Sequence, residues 1–399
     1  MHECDELSQP GPSSTQKFAC PHVDSCAGCP ELCLGYDQQL LLKQQRVQNA
    51  LSHFPDLASL AVDGVIPSDP PVAYRTRAKL MVGPDGEVGL YDREGSHRVV
   101  DIPGCIVLSP VISKALTSIR ALIVDGSLGL TPGRVLQALD LREAIDGDNK
   151  RILLTLVVRR DLAPSIDQLR QAGQLLLSRV EGVAGVAANL RDADGPRVLG
   201  SETIALVGQS IIPDRIGPTY HLATFGAFVQ VNRQQALRVH ELIAEGICSI
   251  TGRVDRATVL ELYGGSGSIG LHLAHRGARV HMVESFSPAV EQANRAARDQ
   301  GLDARFVAQC GDAFHEGRRF LESSNRHVDL IIVNPPRRGL APEVREFLAR
   351  AKPKAVAYIS CDPDTLSRDL DHLARLGWRP ARLRPLDMIP LTEEVETFS

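Results

Sequence analysis

The side chain with the clearest capacity for chemistry is a cysteine, Cys361, at the end of a short apolar run. The run spans residues 355–359, and the Asp-Pro-Asp after the cysteine is typical of a turn that leads into a helix. A strand that ends in a cysteine places the thiol at the carboxyl edge of a sheet, where open α/β folds bind ligands. A thiol before a helix can have a lowered pKa, which favours a nucleophile. The alternative is a buried cysteine that packs as a small apolar residue.

A glycine-rich loop, residues 264–270, is the second stretch that could do chemistry. It has the sequence Gly-Gly-Ser-Gly-Ser-Ile-Gly and lies between an apolar strand at 258–263 and a helical segment. Glycines at such a junction let the backbone approach a bound nucleotide closely. The next predicted strand, 278–284, ends in Glu284, where a carboxylate can accept hydrogen bonds from both ribose hydroxyls. NAD and S-adenosylmethionine both fit this pattern.

The sequence around Asn334 favours the methyl donor over NAD. An apolar strand at 329–333 ends in Asn-Pro-Pro-Arg, and Cys310-Gly-Asp312 falls where methyltransferase sheets often carry an acidic or polar turn near the adenine. Methyltransferases that act on amino groups have a similar Asn-Pro-Pro followed by an aromatic residue that stacks on the base. Arg337 occupies that place here, which argues against methylation of an amino group. The proline pair could instead serve only to end the strand.

Five of the nine cysteines lie within the first 33 residues. Cys20, Cys26 and Cys29 have C-x5-C-x2-C spacing, which can supply three thiolates to an iron–sulfur cluster or to zinc. Cys33 is close enough in sequence to be a fourth ligand, and Cys105 is the remote candidate. The acidic N-terminus has no apolar segment and is not expected to be a secretory signal, so the clustering favours metal or cofactor ligation over disulfides. Free thiols on a flexible arm are the alternative.

Hydrophobic periodicity indicates the elements that position these residues. Residues 37–54 have helical apolar spacing and predict one amphipathic helix, while the polar residues 1–17 predict a disordered lead-in. The Asp85-Gly86 pair between apolar runs predicts a hairpin. The centre of the chain mixes strands with a helix, predicted at 151–158, 164–180 and 183–189. From about residue 235, strands and helices alternate as in an α/β domain.

Charge and composition bound the possible partners. A net charge of −4 and a pI of about 6.3 give no general support for nucleic-acid binding, so a polyanion would need local basic clusters. Residues 74–80 alternate strictly, which would place Arg75, Arg77 and Lys79 on one strand face. These cations could follow a phosphate backbone or form a solvated outer face. No apolar run approaches the roughly 20 residues that a membrane span needs, so no membrane association is expected.

Five motifs, in this order along the chain, resemble the RNA uracil-5-methyltransferases. They are Phe228-Val-Gln-Val-Asn232, Glu261-Leu-Tyr-Gly-Gly-Ser-Gly267, Asn334-Pro-Pro-Arg-Arg-Gly339, Ser360-Cys-Asp-Pro-Asp-Thr-Leu-Ser-Arg-Asp369 and Val395-Glu-Thr397. The N-terminal cysteines resemble the [4Fe–4S] site of the family's bacterial ribosomal-RNA members, so the resemblance extends from about residue 20 to residue 399. It implies an S-adenosylmethionine-dependent enzyme that makes 5-methyluridine in ribosomal or transfer RNA.

The resemblance also implies a role for each matching residue. Cys361 would be the nucleophile that adds to uracil, and Glu396 would be the base that removes a proton. Four residues would bind S-adenosylmethionine: Gln230, Tyr263, Glu284 and Asn334. Four thiolates would hold the [4Fe–4S] cluster: Cys20, Cys26, Cys29 and Cys105.

The expected fold class is α/β, in three parts. Residues 1–60 would form the lead-in, the cysteine segment and one helix. Residues 61–215 would form a mixed α+β central domain that contacts RNA and contributes Cys105. Residues 216–399 would form a Rossmann-like class I methyltransferase domain. A cytoplasmic monomer is expected.

Some positions depart from the family pattern. Val229 replaces a second aromatic residue, Gly264 replaces a frequent cysteine, and Cys33 is an additional thiol. The chain has no room for a small N-terminal β-barrel, and with asparagine at 334 it most resembles the branch that acts on 23S ribosomal RNA. A methyltransferase for tRNA uridine-54 is the nearest alternative. A catalytically silent RNA-binding iron–sulfur protein and an NAD-dependent enzyme are the rivals from other classes.

Overall fold

The computed structural model describes residues 17–193, 197–324 and 327–399. The predicted lead-in lies outside the described residues except for Lys17. The described parts of the chain contain nine α-helices: α1 (Tyr36–Ser52), α2 (Pro110–Val124), α3 (Ile166–Arg179), α4 (Arg233–Thr251), α5 (Ser268–His275), α6 (Ser287–Asp299), α7 (Ala313–Ser324), α8 (Pro342–Ala351) and α9 (Pro363–Arg375). No helix in these ranges is both long and apolar enough to span a membrane.

The strands of the same described ranges form two large sheets and one hairpin. The first sheet has the order β3-β2-β1-β4-β5-β6-β7 and consists of β1 (Arg77–Val82), β2 (Val88–Tyr91), β3 (Val99–Asp101), β4 (Leu136–Asp146), β5 (Asn149–Arg159), β6 (Val183–Arg191) and β7 (Glu202–Gly208). The hairpin consists of β8 (Ile211–Ile216) and β9 (Thr219–Thr224). The second sheet has the order β12-β11-β10-β13-β14-β16-β15 and consists of β10 (Thr258–Leu262), β11 (Arg279–Glu284), β12 (Phe306–Cys310), β13 (Leu330–Val333), β14 (Ala355–Ser360), β15 (Arg384–Leu386) and β16 (Glu396–Phe398).

The first sheet is mostly antiparallel and carries helices on one face. The predicted hairpin is confirmed: β1 and β2 pair antiparallel, and Gly86 in the turn has a φ of +89°, which glycine adopts without strain. Helix α3 connects β5 to β6, which pair in parallel. Buried residues of α2 and α3 pack on the sheet in one apolar core, among them Ile112, Ile119, Leu169 and Leu176. The helix and strands predicted between residues 151 and 189 are therefore confirmed.

The prediction of a row of three RNA-facing cations on β1 is wrong at Arg77. This side chain is buried, and its guanidinium donates two hydrogen bonds to the Asp140 carboxylate, at 2.9 and 2.6 Å. It also donates to the carbonyl of Ala227, in the loop before α4. A buried cation needs a partner of this kind, because leaving a charge unpaired in the interior is costly. Lys79 is exposed and Arg75 is half-buried, so of these three cations only Lys79 and Arg75 remain candidates for contact with a polyanion.

The second sheet confirms the Rossmann-like prediction. Strands β10 to β14 are parallel, and β10 lies between β11 and β13, so the direction of the strand order reverses at its edge. Such a reversal opens a crevice at the carboxyl ends of the strands. The last strand, β16, pairs antiparallel with β14 and brings the end of the chain back to the same crevice. Helix α1, predicted as amphipathic, packs Val47 and Leu51 in a core shared with α8 and α9.

Candidate active site

A cavity of about 760 Å³ lies at the carboxyl edge of the second sheet. It collects residues that are far apart in the chain: the end of β10 and the glycine loop, the end of β11, the end of β13, the end of β14 and the start of β16. All six residues predicted from the resemblance to act on uracil or the methyl donor line this cavity, namely Gln230, Tyr263, Glu284, Asn334, Cys361 and Glu396. The structure therefore brings them together.

The end of β14 and the start of α9 position Cys361. The cysteine directly follows the strand, and the carboxylate of Asp362 caps the helix by accepting a hydrogen bond from the backbone N–H of Thr365 at 2.9 Å. Burial, together with the negative charge of Glu396, raises the pKa of the Cys361 thiol to about 11, although the guanidinium of Arg337 acts in the opposite direction. The lowered pKa that the sequence position suggested is therefore wrong, because desolvation outweighs the favourable position before a helix.

Glu396 reaches the same cavity through strand pairing. Residue Thr397 of β16 is the register partner of Ser360 in β14, so the residues next to this pair, Glu396 and Cys361, come to one edge of the sheet. Glu396 is 5% exposed, and burial raises the pKa of its carboxyl group to about 7, with a further increase from Glu394. A carboxyl group with this pKa can both take up and release a proton near neutral pH.

An ion pair lies at the cavity wall beside these two groups. The Arg337 guanidinium is 2.7 Å from a carboxylate oxygen of Glu394. Arg337 follows the Asn-Pro-Pro turn after β13, and its charge lowers the pKa values of Cys361 and Glu396. The sequence showed Arg337 only as the residue that replaces an aromatic side chain. Its pairing with a residue 57 positions away could not be predicted from local pattern.

The glycine loop forms an open cradle on the other side of the cavity. A side chain at Gly264 would collide with Met282, since a Cβ there would lie 2.3 Å from its Cγ atom. Gly267 has a φ of +77° and begins α5. Tyr263 has a φ of +61°, a conformation that costs free energy in a non-glycine residue and clusters at functional sites. Gly264 therefore lets the loop pack closely on β11. Gly265, with a φ of +55° and no atom within 4 Å of a Cβ position, leaves open space at the cavity.

Glu284 is held by three hydrogen bonds at the end of β11. One carboxylate oxygen accepts from the N–H of Gly265 at 3.0 Å, and the other accepts from the N–H of Phe286 and the hydroxyl of Ser285 at 2.9 and 3.1 Å. These bonds fix the carboxylate beside the glycine loop. Glu284 lines the cavity, and a carboxylate can accept about four hydrogen bonds, so it retains capacity to accept from hydroxyl groups of a ligand.

Three further residues of this region were not assigned a role from the sequence. Phe228 lines the cavity and is 71% exposed, which is unusual for a phenylalanine. His240 of α4 also lines it, with Nε2 3.4 Å from the Ser268 hydroxyl. Glu261 is buried beneath the glycine loop, and burial raises the pKa of its carboxyl group to about 8. No local signal distinguishes His240 or Glu261 from ordinary core residues, whereas Phe228 could have been found from its place beside Gln230.

The N-terminal cysteines form a separate group. Cys20, Cys29 and Cys105 contact one apolar patch, and burial raises the pKa of Cys29 to about 12, with further increases from Cys105, Cys26 and Cys20. The four predicted thiols are thus neighbours. Within residues 17–193, 197–324 and 327–399, however, no three Cys, His, Asp or Glu side chains converge closely enough to hold a metal as they stand. Cys33 is disulfide-bonded, so the alternative of Cys33 as the fourth ligand is not supported.

Comparison with known proteins agrees with this geometry. Residues 218–398 match the family model of tRNA (uracil-5-)-methyltransferases. An uncharacterized RNA methyltransferase of Gloeobacter violaceus is 31% identical over 393 residues, which cover 94% of this chain and 80% of that protein. An uncharacterized RNA methyltransferase of Geobacter sulfurreducens is 30% identical over 401 residues, which cover 100% of this chain and 79% of that protein.

A solved structure has the same fold. The tRNA (uracil-54, C5)-methyltransferase of Pyrococcus abyssi, in complex with S-adenosyl-L-homocysteine, superimposes with a TM-score of 0.73 at 24% sequence identity, covering 94% of this chain and 85% of that one. The sequence match over the whole chain, the family match over the second sheet and the shared fold lead to one conclusion. The chain belongs to the family of S-adenosylmethionine-dependent RNA (uracil-5-)-methyltransferases.

Proposed function

We propose that this protein methylates carbon 5 of a uridine in 23S ribosomal RNA. The observation that carries the proposal is the single cavity that holds a thiol, a carboxyl group of raised pKa and a glycine loop with its own carboxylate. A thiol and a base are what this reaction needs, because carbon 5 of uracil is too weak a nucleophile to attack a methyl donor unaided.

The chemistry begins with Cys361. Its thiolate adds to carbon 6 of uracil, forming a C–S bond and moving the electrons of the C5=C6 double bond into an enolate. S-adenosylmethionine, when bound, supplies the methyl group that carbon 5 then takes. Because burial raises the pKa of the thiol to about 11, the resting group is protonated and gives its proton to water before the C–S bond forms. The charge of Arg337 favours the thiolate that results.

Glu396 completes the reaction. Its carboxylate removes the proton that remains on carbon 5, and the electrons of that C–H bond restore the C5=C6 double bond. The C6–S bond breaks at the same time, and Cys361 leaves as a thiolate. A pKa of about 7 means that Glu396 is partly ionised near neutral pH and can act as this base.

The residues around the glycine loop fit S-adenosylmethionine. Gly265 lines the cavity and leaves open space where a side chain would stand, and Glu284, which accepts three hydrogen bonds, lines the same cavity and can accept bonds from ribose hydroxyls. We assign Gln230, Tyr263 and Asn334 to the same ligand, since they line the cavity between this loop and Cys361.

Replacing Glu284 by alanine is expected to weaken binding of S-adenosylmethionine by about ten- to hundredfold, because hydrogen bonds to a charged group contribute roughly 1.5–3 kcal/mol. Titration calorimetry with S-adenosylmethionine and S-adenosylhomocysteine measures this. Glu291→Ala, which removes an exposed acid on α6, is the matched control and should bind normally. Unchanged affinity in Glu284→Ala, or tight binding of NAD by the wild type, would show that the site has been assigned to the wrong ligand.

The RNA would present a single base to this cavity. A base inside a helix cannot reach Cys361, so it must leave its stack, which costs a few kcal/mol and is cheapest in a loop. Phe228, exposed at the cavity wall, offers a flat apolar surface on which such a base can stack. Arg75 and Lys79 of the central domain are the candidates for contacts to the RNA phosphate backbone. Arg77 would contribute only indirectly, because it donates a hydrogen bond to the carbonyl of Ala227, next to Phe228.

We also propose that Cys20, Cys26, Cys29 and Cys105 hold a [4Fe–4S] cluster. The donor set fits, because four thiolates are the usual ligands of such a cluster. Burial raises the pKa values of Cys26, Cys29 and Cys105, and negative charge on neighbouring thiols acts in the same direction. A bound cluster would supply the positive charge that offsets this repulsion. The uracil chemistry has no redox step, so a role in holding the N-terminal segment is sufficient.

Protein purified without oxygen is expected to contain about four iron atoms and four sulfides per chain. Cys105→Ser should lose most of this iron, because Cys105 is the fourth thiolate ligand and three thiolates alone hold the cluster less firmly. Cys248→Ser, at an exposed cysteine on α4, should retain it. Stoichiometric zinc in place of iron would refute the cluster and leave a zinc site at the same thiols.

The RNA target is tested by covalent trapping. Fluorine at carbon 5 cannot be removed as a proton, so RNA with 5-fluorouridine should stay attached to the enzyme after methyl transfer. Fragments of 23S rRNA are expected to form this adduct, and transfer RNA is not. Trapping of transfer RNA alone would favour the second candidate, tRNA uridine-54, which the protein of similar fold from Pyrococcus abyssi methylates. We expect the enzyme to be a monomer and to act in the cytoplasm, where ribosomal RNA is made and modified.

A further inference from the structure

The loop that leads to the proposed base has two different sides. This loop, residues 387–395, connects β15 to β16 and is called the base loop below. On one side, Met388, Ile389, Glu394 and Val395 line the active-site cavity. On the other side, the loop lies against the N-terminal cysteine segment and α1. Ile389 of the loop both lines the cavity and packs in the apolar cluster that contains Cys20, Cys29 and Cys105, so the loop physically connects the two groups of functional residues.

The start of the base loop is bound to α1 by buried charges. The carboxylate of Asp387 accepts a hydrogen bond from the Lys43 ammonium at 2.5 Å and one from the Tyr36 hydroxyl at 2.7 Å. Lys43 also donates to the carbonyl of Ile389 at 3.0 Å. Lys43 and Asp387 are 1% and 0% exposed, so these bonds are shielded from water and breaking them leaves a buried charge unpaired.

The tip of the base loop is bound to Tyr74, to α1 and to the cysteine segment. The Tyr74 hydroxyl donates to the carbonyl of Pro390 at 3.1 Å. The N–H of Leu391 donates to Gln39 Oε1 at 3.2 Å, and the carbonyl of Leu391 accepts from the N–H of Glu31 at 3.2 Å. Both backbone groups of Leu391 are thus satisfied by residues that are more than 300 positions away.

Leu391 is the point at which this attachment matters most. It has a φ of +67°, a strained conformation for leucine, and it is fully buried. Its side chain packs with Leu32, Tyr74 and Val107, beside the half-buried Cys29 and Cys105. A strained residue keeps its conformation only while its surroundings hold it. Without these contacts the loop would relax to another conformation. Because Glu396 is only five residues after Leu391, its side chain would be displaced as well.

We propose that Gln39 and Tyr74 are positioning residues for Glu396, which they hold in place through the base loop. The inference rests on the proposed function, since it concerns the base of that reaction. It gives the contacts around the N-terminal cysteines a mechanical role in the active site, because Tyr74 packs beside Cys29 and Cys105 and Gln39 binds the carbonyls of Glu31 and Leu34.

Only one step of the reaction depends on the contacts of Gln39 and Tyr74 with the base loop. Addition of Cys361 to carbon 6 and methyl transfer to carbon 5 do not use Glu396. Removal of the carbon 5 proton does, and until it occurs the C6–S bond cannot break. A displaced base therefore leaves methylated RNA covalently attached to Cys361, whereas a general loss of folding reduces attachment and product together.

The experiment compares three full-length variants with the wild type in single turnovers on natural uridine RNA. Gln39→Met removes, at similar volume, the acceptor of the Leu391 N–H and the amide that donates to the carbonyls of Glu31 and Leu34. Tyr74→Phe removes one hydroxyl. Asn189→Ala breaks four hydrogen bonds of the buried Asn189 side chain in strand β6 of the central domain and controls for destabilisation. Denaturing gels measure the adduct between protein and RNA, and nucleoside analysis measures released 5-methyluridine.

Gln39→Met is expected to release 5-methyluridine about tenfold more slowly while the methylated adduct accumulates. Tyr74→Phe, which changes least and will fold, should show the same pattern at about threefold. Asn189→Ala should form adduct and product in the wild-type ratio. A parallel fall of adduct and product in Gln39→Met and Tyr74→Phe overturns the inference. Absence of an adduct between the wild type and 5-fluorouridine RNA overturns the proposed function itself.

Discussion

Cys361→Ala will abolish methylation of RNA, with a loss in rate on the order of 10⁴-fold or more, as is usual when a nucleophile is removed. Without the thiol, carbon 6 has no group to add to it, and carbon 5 remains too weak a nucleophile to take the methyl group. Transfer of a labelled methyl group from S-adenosylmethionine to 23S rRNA fragments measures the rate. The covalent adduct with 5-fluorouridine RNA will disappear in the same variant.

The affinity for RNA shows whether Cys361→Ala is inactive because it lacks the nucleophile or because it is misfolded. Cys361→Ala changes a side chain at the edge of the sheet, so affinity for RNA should stay within about threefold of the wild type, a change under 1 kcal/mol. Cys248→Ala, at an exposed cysteine on α4, should keep both activity and trapping. Methylation that survives in Cys361→Ala would exclude the covalent mechanism, and a wild type that binds RNA but never methylates it would favour a silent RNA-binding protein.

Glu396→Gln will stop the reaction one step later. Glutamine has nearly the same shape but cannot accept the carbon 5 proton, so turnover should fall by about 10²–10⁴-fold, the usual contribution of a general base. The methylated adduct should then accumulate with natural uridine, without the need for fluorine. Protein–RNA adducts on denaturing gels, made with labelled S-adenosylmethionine, measure this. Loss of turnover without accumulation would place Glu396 in an earlier step.

The same variant has a predictable effect on stability. The folded-state pKa of Glu396, about 7, lies above the ordinary value of 4.5, so the folded state binds the proton more tightly than the unfolded chain does. The contribution is fully present below pH 4.5 and is lost as the pH rises through 7. Glu396→Gln should therefore melt at a higher temperature than the wild type at pH 8 and at nearly the same temperature at pH 4.5. Equal melting temperatures at both values would show that Glu396 is not held in a dry site.

Much of the site follows from rules that act over short distances. The run before Cys361 and the run before Asn334 each predict a buried strand, and parallel strands must end at a common edge. This is enough to place a thiol, an amide and the glycine loop near one another. Glu396 is different, because its strand is short and polar, and only the resemblance to a family pointed to it.

The features that the sequence could not predict depend on contacts between distant segments. Alternation around Arg77 is the same for a solvated strand face and for a face that buries an ion pair, and the partner Asp140 lies in another strand. The direction of the pKa shift of Cys361 depends on how deeply the thiol is covered, which no local pattern reports. The contacts of the base loop join residues near position 40 to residues near position 390.

The pairing of Thr397 with Ser360 also limits how this enzyme can change. The nucleophile and the base come from adjacent strands, so their separation is set by the spacing between hydrogen-bonded strands, about 4.8 Å, rather than by the length of a loop. Side chains alternate along a strand, so a shift of the register by one residue would turn Glu396 to the opposite face. Changes in loop length that leave this register unchanged can therefore be tolerated, but an insertion or deletion within β16 itself would move Glu396 away from Cys361.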